Sequence, residues 1–267
     1  TDADCQHTDG LIPSLARIPE ITDAPVQPVY AMHAPEGSGP ARAVAEFAWL
    51  LMNEVRIQGL FRLTGGTRIT GAGQAFPWAI AESLNLASGE IVEDTALTLD
   101  LAKRGIRTRY VAEHSVLSTF PVDDEAAVVQ RARWEHGSLS IQRRGALPLL
   151  IEALRTGALW KAGMALHFLV PPLTLFAGAL IVLAASSTLL APFTGWWLLF
   201  LGFGPLVLFS AGILWAWQRS GREALPPEAL RGMWPFLLSK LKVYGKDGRQ
   251  TAKVWTRTPR DQQEGRS

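Results

Sequence analysis

Residues 162–218 read AGMALHFLVPPLTLFAGALIVLAASSTLLAPFTGWWLLFLGFGPLVLFSAGILWAWQ, without a single Asp, Glu, Lys or Arg. Residues 163–186 and 193–217 are each long enough to cross a bilayer core of about 30 Å. A short uncharged turn, residues 187–192, separates them. Pro171 and Pro172 are expected to kink the first span, which a neighbouring helix tolerates. Trp196, Trp197, Trp215 and Trp217 sit near the ends of the second, where indoles favour the membrane interface. Arg143, Arg144, Arg155 and Lys161 precede the block, Arg219 and Arg222 follow it, and the turn has no basic residue. That asymmetry places both flanking segments on the cytoplasmic side. The competing reading is a buried apolar hairpin in a soluble protein.

Working outward, the apolar block explains the composition. The chain has 267 residues, 48% of them hydrophobic, yet the excess is confined to this block. About one soluble domain's worth of residues lies before Lys161. After the block, Arg219, Arg222, Arg231, Lys240, Lys242, Lys246 and Arg249 begin a basic run. It reads as a juxtamembrane patch facing anionic lipid, with a solvated tail as the alternative. No nucleic-acid-binding motif accompanies the charge, so nucleic acid is not an expected partner. Cys5 is the sole cysteine. It permits no internal disulfide and no cysteine-based zinc site, which fits a domain facing the reducing cytosol. No signal peptide is visible. The chain opens on Thr1 among residues that look like a strand end, so it reads as the downstream part of a longer protein.

Upstream of about residue 143 the pattern is mixed α/β. Residues 25–34 (PVQPVYAMHA) read as a strand with two prolines at its start. Residues 41–60 carry Val44, Phe47, Leu50, Leu51 and Val55 at helical spacing. Gly65-Gly66 breaks the chain, and residues 68–76 read as a strand or glycine-rich loop. Residues 94–104 read as a helix stopped by Gly105, residues 106–112 as a short strand, and residues 124–141 as a helix with acids in its first turn. Residues 228–243 mix apolar and basic residues, as in an amphipathic helix on a membrane or a helix packed on the core.

Four short segments carry candidate chemistry. Asp2 and Asp4 lie one residue apart and offer hard oxygen ligands for Mg²⁺ or Mn²⁺, which would hold a diphosphate. Gly71-Ala72-Gly73-Gln74-Ala75-Phe76-Pro77-Trp78 sets glycines beside aromatics. Gly71 and Gly73 permit close backbone approach to a ligand, and Trp78 could stack on a sugar; a tight turn with core aromatics is the plainer reading. Glu93 and Asp94 start a helix, where carboxylates cap it well, and a cap does not preclude service as a general base. Gln130, Arg133 and Trp134 share one helix face and suit a diphosphate beside a sugar; a salt-bridged surface face is the alternative. His7, His33, His114, His136 and His167 include no pair at metal-ligand spacing and read as structural.

The order DAD, GAGQAFPW, VED, QRARW and then paired apolar spans resembles the family 2 glycosyltransferases of bacterial membranes, the cellulose-, hyaluronan- and exopolysaccharide-synthase-like enzymes. The resemblance covers nearly the whole chain. It implies an α/β fold: part of a GT-A (Rossmann-like) domain, then a transmembrane helical hairpin and an amphipathic C-terminal segment. It implies that Asp2 and Asp4 hold the divalent cation on a nucleotide-sugar diphosphate. It makes Asp94 the base, with Glu93 beside it, and Gln130, Arg133 and Trp134 the lining of the acceptor and diphosphate region. Val92 stands where the family's acidic element usually has Thr. The half that would bind the nucleotide base has no counterpart here, since the chain starts at the DxD.

The domain expectation is therefore residues 1–143 for the C-terminal part of the catalytic domain and 144–161 for an interfacial linker helix. Two transmembrane helices follow in 162–218, and a basic juxtamembrane tail in 219–267. The implied function is metal-dependent inverting transfer of a sugar to a lipid-linked or glycan acceptor at the bacterial inner membrane, with the catalytic domain cytoplasmic. The alternatives are a processive polysaccharide synthase and an inactive remnant or partner subunit.

Overall fold

The computed structural model describes residues 5–84, 92–121 and 123–244. A three-stranded sheet of β1 (Gln6–His7), β2 (Val26–His33) and β3 (Arg109–Thr119) has the order β1-β3-β2. β3 runs antiparallel to β1 and parallel to β2. A parallel pair requires a crossover. Here it is made by α2 (Pro40–Leu50), α3 (Arg56–Thr64), α4 (Trp78–Glu82) and α5 (Glu93–Lys103). The β2–β3 register slips between Pro28, opposite Val111, and Val29, opposite Ser115. Proline has no N–H for a ladder, so pairing breaks most cheaply there. The polar Glu113 falls within the slip, which is why the expected strand over 106–112 stops short of β3's true end at Thr119.

The helix expected over 41–60 spans Pro40 to Thr64, with a π-helical turn at Leu51–Val55 joining α2 to α3. Pro40 sits in its first turn, where its missing N–H costs nothing. Gly65, at φ 68°, ends it in the left-handed conformation that glycine adopts without strain. A further helix, α1 (Leu11–Thr22), begins just after Gly10 and has Pro19 in its interior. Its two prolines, Pro13 and Pro19, hide it from a periodicity reading.

Two expected boundaries move. α6 (Asp124–Thr156) runs unbroken through residue 143, so the separate linker helix over 144–161 does not form. The chain turns instead at Gly157, φ 68°. The expected span over 163–186 also divides. α7 (Leu159–Leu169) buries Met164, Ala165 and Phe168, and α8 (Leu173–Thr194) starts afresh beyond Pro171-Pro172. Proline disfavours helix in the residue before it, and Val170 is extended at φ −72°, ψ 118°. α7 thus belongs to the domain's second core, where Met164, Ala165 and Phe168 meet Leu60, Leu99 and Leu149.

α8 and α9 (Leu198–Ala216) are long and apolar enough to cross a membrane; the helix of α9 continues through a π-helical turn to Gly221. The turn between them falls at Gly195–Trp197, later than expected. They pack closely: a Cβ at Gly202 would sit 2.5 Å from Ser187 Cβ, and the Phe176 and Phe209 rings stand edge to face at 5.4 Å. Most of their remaining apolar surface is exposed, Phe200 and Leu208 among it. Beyond, a 3₁₀ turn (Pro227–Gly232) leads into α10 (Met233–Tyr244). Phe236 of α10 joins the first core, with Tyr30, Phe47, Val116 and Phe120. Its other face leaves Trp234, Leu237 and Leu238 exposed.

Gly73 seals the β2–β3 seam. Its φ is 71°, and a Cβ there would lie 2.4 Å from Val116 Cγ2 and 2.9 Å from Pro28 Cγ. Gly73→Ala is expected to destabilise the domain by about 2 kcal/mol or more, from overpacking and left-handed strain together. Thermal unfolding followed by circular dichroism checks this; an unchanged midpoint would mean the seam is loose.

Candidate active site

A cavity of about 390 Å³ lies between the sheet's helices, the α7–α8 elbow and α10. Asp94, Glu93, Gly71 and Trp134 of the sequence candidates line it. Gln130 and Arg133 lie on α6 outside its lining, and Gly73 is the packed seam residue described above. Trp78 opens α4 with 79% of its surface exposed, away from the cavity lining. Asp2 and Asp4 lie outside the described residues. Among the described residues, no group of three His, Cys, Asp or Glu could hold a metal ion.

Asp94 is seated by two tethers. The Thr98 hydroxyl donates to the Asp94 carbonyl at 2.7 Å and accepts the Ile69 N–H at 2.9 Å. The side chain of the fully buried Gln27 holds the same loop: its Oε1 accepts the Thr70 N–H, and its Nε2 donates to the Ala72 carbonyl, both at 2.9 Å. The loop from Arg68 to Ala72 is thereby fixed against the first turn of α5. Gly71 lies so near that a Cβ on it would be 3.9 Å from Asp94 Oδ2.

The Asp94 carboxylate accepts the Thr95 N–H at Oδ1, 2.7 Å away. Burial pushes its pKa above the usual aspartate range, and neighbouring Glu93 adds to the rise; Arg68 and the Thr95 N–H oppose both. A carboxylate raised in this way is a better proton acceptor than an exposed one.

Cations line the same cavity. Arg68 donates from Nη2 to Asn53 Oδ1 at 2.7 Å. Arg56 donates to the His167 carbonyl near the end of α7. Burial, and then Arg68, lower the Arg56 pKa to about 10, so it stays charged at neutral pH. Asn53 and Arg56 come from the π-helical turn and the residue after it. π turns inside α-helices recur at functional sites.

An aromatic wall completes the lining. Trp49 donates from Nε1 to the Tyr30 carbonyl at 2.8 Å. Its ring meets Tyr30 at 5.3 Å and Phe120 at 6.1 Å, both edge to face, and Trp134 at 5.3 Å. Such rings offer apolar faces of the kind a sugar packs on. α10 closes the cavity from another side with Phe236 and Lys240. It is locked to α6: Lys240 and the Tyr244 hydroxyl both bond Glu135, Arg131 donates to Ser239 Oγ at 3.2 Å, and His136 meets the Val243 carbonyl at 2.9 Å.

Tyr30, Trp49, Asn53, Arg56, Arg68, Arg131, Glu135 and Lys240 line the cavity without having been singled out in the sequence. Arg131, Trp134 and Glu135 repeat the i, i+3, i+4 spacing one residue out of phase with the expected face. That spacing was the one signal that could have found two of them.

The raised Asp94 pKa fixes a sign for stability. A carboxyl whose folded pKa exceeds its unfolded value costs stability once pH rises through the folded value. Asp94→Asn is therefore expected to match wild type in acid and to unfold at a higher temperature at neutral pH. Melting curves across the range check this; a variant less stable at neutral pH than in acid, relative to wild type, would mean the ionised form is favoured.

No curated protein matches the chain significantly. A family model described as glycosyl transferase family group 2 matches residues 33–215. That range runs from the end of β2 through the cavity to α9 and exceeds half of the chain. Membership implies a nucleotide-sugar donor and an acceptor, and a GT-A type of domain, to which the small mixed sheet and its βαβ crossover correspond. The chain belongs to glycosyl transferase family group 2 and is a glycosyltransferase.

Proposed function

We propose that the protein transfers a sugar with inversion, at the cytoplasmic face of the bacterial inner membrane, to a lipid-linked or polysaccharide acceptor. The observation that carries this reading is the placement of Asp94. It is a partly buried carboxylate with a raised pKa, in a cavity bounded by an aromatic wall, by arginines and by the elbow leading into α8. The acceptor hydroxyl attacks the anomeric carbon, the bond from that carbon to the diphosphate oxygen breaks, and the hydroxyl proton passes to the Asp94 carboxylate. The nucleoside diphosphate leaves as an anion. Glu93 keeps the local field negative and so holds Asp94 receptive to a proton. Trp134, Trp49 and Tyr30 position the sugar, while Gly71 lets it approach the backbone.

Asp2 and Asp4 form a donor set of hard oxygens suited to Mg²⁺ or Mn²⁺, and such a metal would neutralise charge on the departing diphosphate. Gln130 and Arg133 are assigned to the diphosphate, and Trp78 to the outer path of the acceptor glycan. The exposed apolar surfaces of α8 and α9 support a transmembrane hairpin, and the apolar outer face of α10 supports an amphipathic helix on the bilayer.

Asp94→Asn is expected to lower turnover by about two orders of magnitude or more while leaving membrane insertion intact. Transfer of radiolabelled sugar in isolated membranes, with carbonate extraction for insertion, reads both. Near-wild-type transfer by the variant would overturn the assignment of the base.

A further inference from the structure

Two guanidinium groups share one end of the cavity, and their donors are largely unspent. Each offers five N–H bonds in a rigid fork. Arg68 uses Nη2 on Asn53, and its Nε is buried with no hydrogen-bond partner among the described residues. Arg56 donates to the His167 carbonyl and reaches Met52 Sδ at 3.6 Å. Neither forms an ion pair with a carboxylate among the described residues. Asp94 attracts Arg68 through space. When Asp94 accepts a proton that attraction is lost. Buried cations short of partners are costly, and an oxyanion that takes up their donors offsets the cost.

The surroundings select the kind of oxyanion. Arg56 is anchored on the last turn of α7, and the cavity wall continues from there as Phe168, Val170, Pro172 and Leu173. That apolar strip leads directly into α8, whose apolar surface is largely exposed. A nucleotide sugar has no hydrocarbon chain to lay along it. A lipid phosphate has both parts in the required order.

We propose that Arg56 and Arg68 form an oxyanion subsite that takes the phosphate of a lipid-linked acceptor, its hydrocarbon chain leaving along the α7–α8 elbow. This rests on the reading of the cavity as the transfer site. Asn53 is a positioning residue, since its Oδ1 holds the Arg68 fork while its own amide is tied to the Trp49 carbonyl at 3.3 Å.

The test uses the full chain in detergent, with inorganic phosphate as the probe and chloride at matched ionic strength as the reference. Phosphate is expected to raise the melting temperature of wild type and of Arg62→Gln, an exposed control on α3. Arg56→Gln and Arg68→Gln are expected to weaken that response by about tenfold or more. Arg56→Lys and Arg68→Lys, which keep the charge but not the fork, serve where the glutamine variants fail to fold, with a loss of about threefold. An unchanged phosphate response in these variants would overturn the subsite. In transfer assays, Arg56→Gln is expected to raise KM for a lipid-phosphate-linked acceptor by about tenfold while donor KM stays within about twofold. A rise in donor KM alone would give the subsite to the donor diphosphate and overturn the acceptor assignment. Absence of transfer by wild type would count against the catalytic reading, while the phosphate response would still decide the subsite.

Discussion

The Thr98 hydroxyl joins two segments that the sequence keeps nearly thirty residues apart. By accepting the Ile69 N–H and donating to the Asp94 carbonyl, it ties the glycine-rich loop to the first turn of α5. Gln27, buried on β2, grips the same loop at Thr70 and Ala72. Strand, loop and helix are thus held by side-chain amide and hydroxyl groups with no exposed surface to spare. Because Asp94, Arg68 and Gly71 all ride on these tethers, the geometry of the candidate base depends on them. Polar groups buried in this way are costly unless paired, so the network specifies one arrangement of the loop.

Around that network the chain builds one cavity from distant parts. α2, the π-helical turn and α3 contribute Trp49, Asn53 and Arg56 in that order, and α6 contributes Arg131, Trp134 and Glu135. The elbow before α8 and the C-terminal α10 close it. The elbow couples the domain that holds the sheet to the apolar helices: α7 packs into the domain core while α8 leaves it, with two prolines enforcing the change of direction. α10 answers the choice between core helix and surface helix with both faces. Phe236 and Val243 are buried, and Trp234, Leu237 and Leu238 are not.

Much of this was legible from residue order. β2, the long helix of α2 and α3, α5 with its Gly105 stop, and the two apolar helices all follow from local patterns. Those patterns are strong where one residue type decides: proline, glycine or an uncharged run. Boundaries were lost where tertiary packing overrides them. Residues 163–169 are as apolar as a membrane span, but Met164, Ala165 and Phe168 are buried against α3 and α6, and α6 continues through residue 143 as one helix packed on α5 and α7. The lining of the candidate site was legible only in part. Asp94, Glu93, Gly71 and Trp134 stand in short motifs and reach the cavity. Arg56, Arg68 and Asn53 sit in ordinary surroundings, and only a π-helical turn and a clamped loop, neither written in periodicity, bring them together.

The proposed role of Asp94, accepting the acceptor's proton from a desolvated site, is read in the pH dependence of kcat/KM for sugar transfer. An acid limb is expected with an apparent pKa clearly above the ordinary aspartate value of about 4, because burial disfavours the ionised form. A limb at or below that value, or a flat profile through the acid range, would contradict it.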